Sequence, residues 1–324
     1  MSVAEKHSVK GTRENIFNSA RVRHLVGLRL YRNRYIYLMI LPVVVYFILL
    51  KYVPMWFLRS AFYDYKLLKG FDSKFVGWKN FERLLSNPNL MNYIGNTLKL
   101  NLTALVILFP MPMFFALMLN ELRSEKFKRV IQTTTYFPYF ISWVVYGGIV
   151  SALLTSDGGL INNVMMDAHL ISRPINFLSE SQYFYAIVII SSAIKGTGWG
   201  SVVYVAAIAG VDQAIYEAAR IDGANRWQTA FKVTLPSIAP TVTVLLLLAI
   251  SGILGSGFDR IYMLQNPLNL VRSEVLDTFV YKMGISSRRF SYTTAIGLFR
   301  SVLAVLLLGG GNLLSKKLTG NGLF

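Results

Sequence analysis

The sequence predicts an all-α protein, a polytopic membrane bundle of six transmembrane helices. Three observations lead to this prediction. Hydrophobic residues make up 54% of the 324 residues and charged residues only 15%, a composition too apolar for an ordinary soluble domain. Six apolar runs have the length of roughly 20 residues with which a helix crosses a bilayer core. The formal net charge is +17, and most of the Lys and Arg residues fall between those runs.

The chain starts with a basic segment, residues 1–34, which contains eight Lys and Arg residues. The apolar run after it is too long for the core of a cleavable signal peptide, so we expect the segment to be retained. Two arrangements fit residues 12–34, namely a basic amphipathic helix on the inner membrane surface and a solvated tail.

The predicted transmembrane domain covers residues 35–314. Pro110 and Pro112 each remove a backbone donor, so the second span is expected to kink near its middle. Three glycines in the fourth span favour close helix packing over the alternative of a hinge, and they are Gly196, Gly198 and Gly200. The spans themselves are predicted at 35–58, 97–119, 131–154, 183–210, 238–258 and 292–314.

The distribution of Lys and Arg predicts the side of the membrane on which each connection lies. The N-terminal segment, the connections at 120–130 and 211–237, and the tail at 315–324 together carry 17 of these residues. The three opposite connections carry twelve over a greater length. Because cytoplasmic connections are enriched in Lys and Arg, we expect both termini to be cytoplasmic and residues 59–95 and 259–290 to lie outside.

Residues 211–237 form a polar connection before the fifth span, and their pattern predicts a helix, a turn and a second helix. Asp212 is placed to cap the first helix, and Gly223 can adopt the left-handed conformation that ends it. Asn225 is placed to cap the second helix, and Pro236 is expected to stop it. Such a compact protrusion suits either a docking element or a solvated surface, and composition alone does not separate the two.

One motif in this connection resembles a known family signature. Glu-Ala-Ala, three residues, Gly, nine residues, an aliphatic residue, one residue and Leu-Pro is typical of permease subunits of binding-protein-dependent ABC importers. Seven specified positions make the signal specific, although Val stands in place of the commoner Ile. The matching residues are Glu217, Ala218, Ala219, Gly223, Val233, Leu235 and Pro236.

The resemblance extends over most of residues 35–260. The stretch LPVVVYFILLKYVPMWFLRSAFYDYKLLKGF and the later FVGWKNFERLL are similar to the first span and outer loop of LplB-type permeases for oligosaccharides and polysaccharide fragments. YFPYFISWVVYGGIVSALLTSDGGLIN is similar to their third span and the following loop. Within this branch, the chain resembles the permease subunits of alginate ABC importers.

The resemblance implies a type I ABC importer permease fold, alternating access and a defined set of partners. These are a second permease, two cytoplasmic ATPase subunits, an extracytoplasmic solute-binding protein and an anionic oligosaccharide. ATP and Mg would bind to the ATPase subunits, because no phosphate-cradling GxxxxGK[ST] sequence occurs here. We therefore expect a non-catalytic subunit in the bacterial inner membrane, without a cofactor of its own. The residues implied to couple it to an ATPase are Glu217, Ala218, Ala219, Asp222, Gly223 and Ala224.

Two cations fall near the centres of predicted spans, Lys195 in the fourth and Arg300 in the sixth. An ionisable residue at that depth costs on the order of 3 kcal/mol and points to a function. Because the predicted spans contain essentially no Asp or Glu, we predict that both cations line a pathway for an anionic sugar. The structural alternative is an internal pair with a carboxylate. Neighbours able to contact sugar rings, although each is more often ordinary packing, are Trp199, Tyr204 and Asn101.

Other function classes are less well supported. A secondary transporter or channel for anionic solutes is the alternative, but many such carriers contain inverted repeats, which we do not find. The chain has no cysteine and three scattered histidines, which argues against thiol, zinc and membrane-enzyme chemistry. We find no aromatic-basic module of the kind that binds nucleic acids. The basic segments are therefore expected to contact the lipid bilayer.

Overall fold

The computed structural model describes residues 32–253 and 257–319. The predicted N-terminal segment up to residue 31 and the last five residues of the predicted tail lie outside the described residues. The described chain is mostly helical, without a β-strand longer than an isolated bridge. It divides into two compact units, Met1–Ser60 and Ala61–Phe324, and the prediction of an all-α protein is confirmed.

The described part of the first unit is helical along its length. Large apolar side chains are exposed from Tyr35 to Trp56, and a helix that is apolar on every face suits a lipid environment. Helix α1 continues past Pro42 without a break. Its bounds and those of the segments after it are α1 Arg34–Phe47, a π-helical segment Ile48–Tyr52 and a short helix Val53–Met55.

The second unit contains twelve further labelled helices, each of at least five residues. They are α2 Lys79–Leu85, α3 Leu90–Leu108, α4 Pro110–Asn120, α5 Glu125–Tyr136, α6 Trp143–Leu154, α7 Leu160–Asp167, α8 Phe184–Ala209, α9 Gln213–Ile221, α10 Ala239–Ser251, α11 Phe258–Tyr262, α12 Leu276–Tyr281 and α13 Phe290–Thr319. A seven-residue 3-10 helix, Trp56–Phe62, starts in the first unit. Shorter helical pieces are Phe137–Phe140, Ser181–Tyr183, Arg226–Gln228, Leu235–Ser237 and Leu270–Ser273. Two π-helical segments occur at Thr229–Thr234 and Lys282–Ser286.

Length and composition support three to five membrane spans in the described residues, against the six predicted. Three continuous helical stretches are long and apolar enough, and two bent helix pairs raise the number to five. The apolar part of α13, Phe290–Leu306, is shorter than a full span. The continuous stretches are Arg34–Phe62, Leu90–Asn120 and Ser181–Ala209, and the bent pairs are Glu125–Phe140 with Trp143–Leu154 and Arg226–Ser237 with Ala239–Ile250.

The third predicted span is broken, not straight. Helix α5 runs into a 3-10 turn, Phe137–Phe140, and the chain then bends by 102° into α6. Two local features cause the break, because Pro138 lacks a backbone donor and Ser142 caps the new helix by accepting from the Val145 N–H at 3.3 Å. The carbonyl groups at this break need partners from elsewhere in the fold.

The second predicted span is interrupted at Phe109, directly before Pro110. A proline cannot donate to the carbonyl one turn earlier, so the regular ladder stops there. The two halves nevertheless form one 31-residue stretch and are not bent by more than 40°. The structure thus shows a local interruption of the helix at the position of the predicted kink, without a sharp bend.

Helix α8 lies at the centre of the second unit, where it packs against α3, α4 and α5. A Cβ atom at Gly198 would collide with the Thr135 carbonyl, and one at Gly200 would meet the ring of Pro112. Close packing explains both glycines, and α8 runs unbroken past them, which leaves no hinge there. The Cβ position of Gly196 faces open space.

Three clusters of buried apolar side chains hold the second unit together. The first joins α3, α6 and α8 around Phe184. The second joins α2, α12 and α13 around Leu276 and Ile296. The third joins α4 and α8 around Tyr204, next to Ile238 at the start of α10. Because lipid is as apolar as these side chains, shape complementarity stabilises such contacts more than water exclusion does.

Candidate functional site

The polar connection before α10 begins with helix α9, as its sequence predicts. The side chain of Asp212 accepts from the Ala214 N–H at 3.0 Å, so it caps the helix. At the other end Gly223 has a φ of +74°. The Ala224 N–H donates to Ala219 at 2.9 Å and the Gly223 N–H to Arg220 at 3.1 Å. This pair of bonds is a Schellman turn, which fixes the direction of the chain after α9.

The second half of the connection starts with a complete capping box. Asn225 accepts from the Gln228 N–H, and the Gln228 side chain accepts from the Asn225 N–H, each at 2.9 Å. The expectation that Pro236 stops this helix was wrong, since helical structure continues to Ser237 and the 67° bend follows at Ile238. The π-helical segment before the proline has a wider hydrogen-bond pattern than an α-helix. A side-chain hydroxyl also bonds to a backbone carbonyl there, since Ser237 Oγ donates to the Val233 carbonyl.

The connection presents a mixed surface to solvent. Glu217 and Ala218 are exposed, and Glu217 has no ion pair among the described residues. Two large apolar side chains are also exposed, Ile221 at 86% and Trp227 at 71%. One carboxylate beside a small alanine surface and two projecting apolar side chains is a combination that suits contact with another protein. We call residues 211–237 the coupling segment.

Lys195 lies at the break in the third predicted span and is only 6% exposed. Its ammonium group donates to the carbonyls of Pro138 and Tyr139, each at 2.9 Å, and to that of Ile141. An ammonium group has three donors, so all of them are used. Aromatic rings surround the same nitrogen within 5.8 Å, and they belong to Tyr139, Trp143 and Tyr146.

Arg300 in α13 forms an ion pair with Asp277 in α12. The expectation that no carboxylate offsets this cation was wrong. Asp277 belongs to the stretch predicted as an outer connection, which instead contains helix α12 packed against α13. Burial raises the pKa of the Asp277 carboxyl, and the guanidinium beside it acts in the opposite direction. The geometry favours a structural role for this pair, while a role in the pathway stays a prediction.

The two aromatic candidates have different surroundings. Trp199 is 40% exposed, and its ring stacks on Tyr139 with centroids 5.1 Å apart and planes 13° apart. Tyr204 is buried in the apolar cluster between α4 and α8. Trp199 is therefore a partly exposed member of an aromatic group that also includes Phe140 and Tyr136, whereas the position of Tyr204 is that of ordinary packing.

Asn101 is buried in α3 and connects two parts of the fold. Its amide nitrogen donates to the Ile253 carbonyl at 2.7 Å, and its amide oxygen accepts from Arg260 Nη2 at 3.2 Å. Arg260 lies in α11, where it packs over Gly257, a residue in the left-handed conformation. The Arg260 Nε atom is buried and has no hydrogen-bond partner.

Arg260 lines a cavity of about 350 Å³, which we call the mid-span cavity. It adjoins both irregular spans, because Pro112 follows the interruption at Phe109 and Trp143 follows the break in the third span. The hydroxyl of Ser192 on its wall is buried without a partner. Apolar side chains from Leu108, Pro112 and Trp143 face polar ones from Ser192, Thr197 and Arg260.

The structure brings together only some of the predicted pathway residues. Asn101 reaches the mid-span cavity through Arg260, and Lys195 lies beside it on α8 but points to the broken span. Trp199 belongs to the aromatic group at that break, whereas Arg300 pairs elsewhere. Arg260 was not among the predicted pathway residues, because it falls in a stretch predicted as an outer connection. Its position directly after the fifth predicted span was the available signal.

A second charged feature is a pocket of about 690 Å³ in the stretches predicted to lie outside the membrane. Arg83 lies over the ring of Tyr292 at 5.4 Å at this pocket. The single acidic residue in its lining is Asp64. The cations in the same lining are Lys66, Lys69, Arg83, Arg288 and Arg289, so the pocket is strongly basic and suits an anion.

Comparison with known families decides the class of the protein. The model for the inner membrane component of binding-protein-dependent transport systems matches residues 108–320, which include the mid-span cavity and the coupling segment. The chain belongs to this family. Because the chain belongs to this family, the alternative of a secondary transporter or channel no longer applies.

Similar proteins align with nearly the whole length of this chain. Protein LplB of Bacillus subtilis is 41% identical over 90% of this chain and 92% of its own length. The polygalacturonan/rhamnogalacturonan transport system permease protein YteP of the same organism is 40% identical over 95% and 96%. A chain of a bacterial alginate ABC transporter, solved in complex with an alginate pentasaccharide-bound periplasmic protein, superposes with a TM-score of 0.82. It is 34% identical and covers 91% of this chain and 98% of its own.

Proposed function

We propose that this permease is the transmembrane subunit of an ATP-driven ABC importer that moves acidic oligosaccharides across the inner membrane by alternating access. The likeness to the alginate transporter carries the proposal, since it extends over 91% of the chain at 34% identity. Alginate is an acidic polysaccharide, and the name of YteP specifies another polymer that contains uronic acids. A carboxylate on the sugar is the chemistry that these two substrates share.

The proposal includes partners that supply what this chain lacks. A second permease would complete the translocation pathway, two cytoplasmic ATPase subunits would bind ATP and Mg, and an extracytoplasmic protein would deliver the sugar. The solved alginate transporter contains such a periplasmic protein. In this arrangement the coupling segment and both termini lie in the cytoplasm, which agrees with the distribution of Lys and Arg.

The coupling segment is proposed to dock on one ATPase subunit. The exposure of Glu217, Ala218, Ile221 and Trp227 supports this role, because a carboxylate and projecting apolar groups offer both an ion pair and an anchor. Asp222, Gly223 and Ala224 are proposed to aim the helix, since they form the turn that ends it, and Ala219 accepts the bond that closes this turn. Closure of the ATPases on ATP would then move α9 and, through it, the spans.

Two variants at one position test this docking. Gly223→Leu is expected to lower the amount of ATPase that co-purifies with the permease about tenfold, because a left-handed Leu costs about 1–2 kcal/mol. No atom lies within 4 Å of the Cβ position, so the effect would come from the backbone and not from a collision. Gly223→Asn is the matched control, since Asn tolerates this conformation. Wild-type ATPase recovery with Gly223→Leu would contradict the docking proposal.

The predicted pathway residues carry over into the proposal with unequal support. Asn101 holds Arg260 at the mid-span cavity, and Trp199 offers an exposed ring for a sugar. Lys195, Arg300 and Tyr204 are already engaged by carbonyls, a carboxylate and an apolar cluster. We therefore propose contacts of the sugar with Asn101, through Arg260, and with Trp199, rather than with the other three.

Uptake of two labelled sugars of equal length tests the proposed substrate class. The complex, isolated through a tag on this chain and placed in proteoliposomes, is given an acidic oligogalacturonate and a neutral malto-oligosaccharide. We expect ATP-dependent uptake of the acidic sugar at least about tenfold faster, since discrimination by charged groups is of this order. Equal uptake of both, or uptake of the neutral sugar alone, would overturn the acidic substrate class. Uptake without ATP would overturn the ABC mechanism.

A further inference from the structure

Arg260 stands apart from the other cations inside the bundle. Lys195 uses its three donors on carbonyls, and Arg300 is paired with Asp277. Arg260 has no ion pair among the described residues, and the hydrogen bond it makes there is to the neutral Asn101 amide. A charge kept inside a membrane protein without a counter-ion points to a function.

The guanidinium group has donors to spare at a place where a ligand fits. Its Nε atom has no partner, and neither does the hydroxyl of Ser192 on the wall of the same cavity. A guanidinium group binds a carboxylate through two parallel N–H donors. The cavity volume of about 350 Å³ lies within the range of small-molecule sites.

We propose that Arg260 binds a carboxylate of the transported sugar in the mid-span cavity, with the Ser192 hydroxyl as a second donor. The inference rests on the proposed function, and it assigns the selection of acidic sugars to Arg260. Asn101 positions the arginine, because its amide oxygen holds Nη2 while its amide nitrogen is fixed to the Ile253 carbonyl. Trp143 and Pro112 on the facing wall offer apolar surface to the sugar ring.

The contact between Arg260 and Gly257 bears on how the guanidinium group responds to a ligand. The Nε atom lies against the Gly257 backbone, where a side chain would collide with it. One hydrogen bond, to Asn101, holds the guanidinium group of Arg260. The rest of the side chain contacts Gly257, which has no side chain of its own. Binding of a carboxylate through Nε would require the guanidinium group to turn away from the Gly257 backbone towards the cavity.

The test measures sugar molecules taken up per ATP hydrolysed by the reconstituted complex, with oligogalacturonate as the probe. Arg260→Met is expected to lower this ratio about tenfold or more, the value of one charge-assisted contact. Arg260→Lys keeps the charge without the paired donors and should lose less than Arg260→Met. Lys99→Met is the matched control, since it removes an exposed cation two residues from Asn101 and should leave the ratio unchanged.

Each outcome separates the inference from a merely structural role. A folding or assembly defect lowers uptake and ATP hydrolysis in proportion, so an unchanged ratio in Arg260→Met overturns the inference. Failure of both Arg260→Met and Arg260→Gln to assemble would show that the arginine is needed for folding, and would overturn it as well. Absence of acidic-sugar uptake by the wild-type complex contradicts the proposed function itself, whatever the variants do.

Discussion

The break in the third span and the mid-span cavity lie side by side on α8. Each contains a cation without a carboxylate partner among the described residues, Lys195 buried and Arg260 partly buried. At the break, carbonyls released by the 3-10 turn and the bend occupy every donor of Lys195. At the cavity, Arg260 retains a donor without a partner. The role of a cation inside the bundle therefore depends on how many of its hydrogen-bond donors are already occupied, and not on its depth in a span.

Arg300 gives a third solution to the same problem. Its carboxylate partner, Asp277, comes from a helix that is not one of the membrane spans. The pair is partly exposed, with 29% and 20% of the two side chains accessible, so its contribution to stability is modest. The three cations thus stabilise a broken backbone, pair two helices, or remain available to a ligand.

Removing the cation at the break should have the largest effect on stability. Lys195→Met leaves three buried carbonyls without a donor, and we expect unfolding to become easier by about 3 kcal/mol. Thermal unfolding of the purified permease in detergent, followed by near-ultraviolet circular dichroism, measures the change. Lys99→Met should leave the transition unchanged.

One result would reverse the comparison between the two cations. If Lys195→Met unfolds like the wild type and loses uptake of acidic oligosaccharide only, Lys195 faces the pathway after all. The carbonyl contacts would then be incidental to its function, and the original prediction from the sequence would hold for this residue.

Breaking the pair between α12 and α13 should have a smaller effect. Arg300→Met is expected to cost about 1–2 kcal/mol, less than a fully buried pair would, because solvent screens the partners. It leaves Asp277 with a pKa raised by burial alone. A raised folded-state pKa means that the folded protein binds the extra proton, so the variant should regain stability as the pH falls from 7.5 towards 5.

The double variant Arg300→Met with Asp277→Asn is the control for this second prediction. It removes both charges, so it should be more stable than Arg300→Met at pH 7.5 and should lose the added pH dependence. Unfolding temperatures of the three proteins at both pH values measure this. A double variant no more stable than the single one would show that the unpaired Asp277 carboxylate carries no penalty, and would contradict this prediction.

The caps and the turn of the coupling segment could be predicted from the sequence, whereas its π-helical segment and the mid-span cavity could not. Asp212, Gly223 and Asn225 act on groups no more than a few residues away, so their types and spacing fixed the caps and the turn. Arg260 and Asn101 are 159 residues apart in the chain. Only the tertiary fold brings such a pair together, because α11 packs against α6, α8 and α12, and a single sequence carries no local signal for it.

The same distinction applies to Lys195, whose partners are remote in the chain, whereas the prediction for Pro236 failed for a local reason. Lys195 bonds to carbonyls 54 to 57 residues earlier, and the break that exposes them was hidden in an apolar run that reads as one span. Pro236 was expected to stop its helix by a local rule that usually holds. The π-helical segment before it supplied a geometry that the rule does not consider.

That π-helical segment, Thr229–Thr234, has an evolutionary consequence. A π-turn accommodates one residue more than an α-turn of similar rise, and helices gain such turns by inserting a single residue. Each residue of an α-helix advances the rotation by about 100°. A one-residue deletion at this place would return the segment to α-helical turns without rotating the helical residues before it relative to those after it, which makes it a point where the length of the chain can vary while the direction of coupling is preserved.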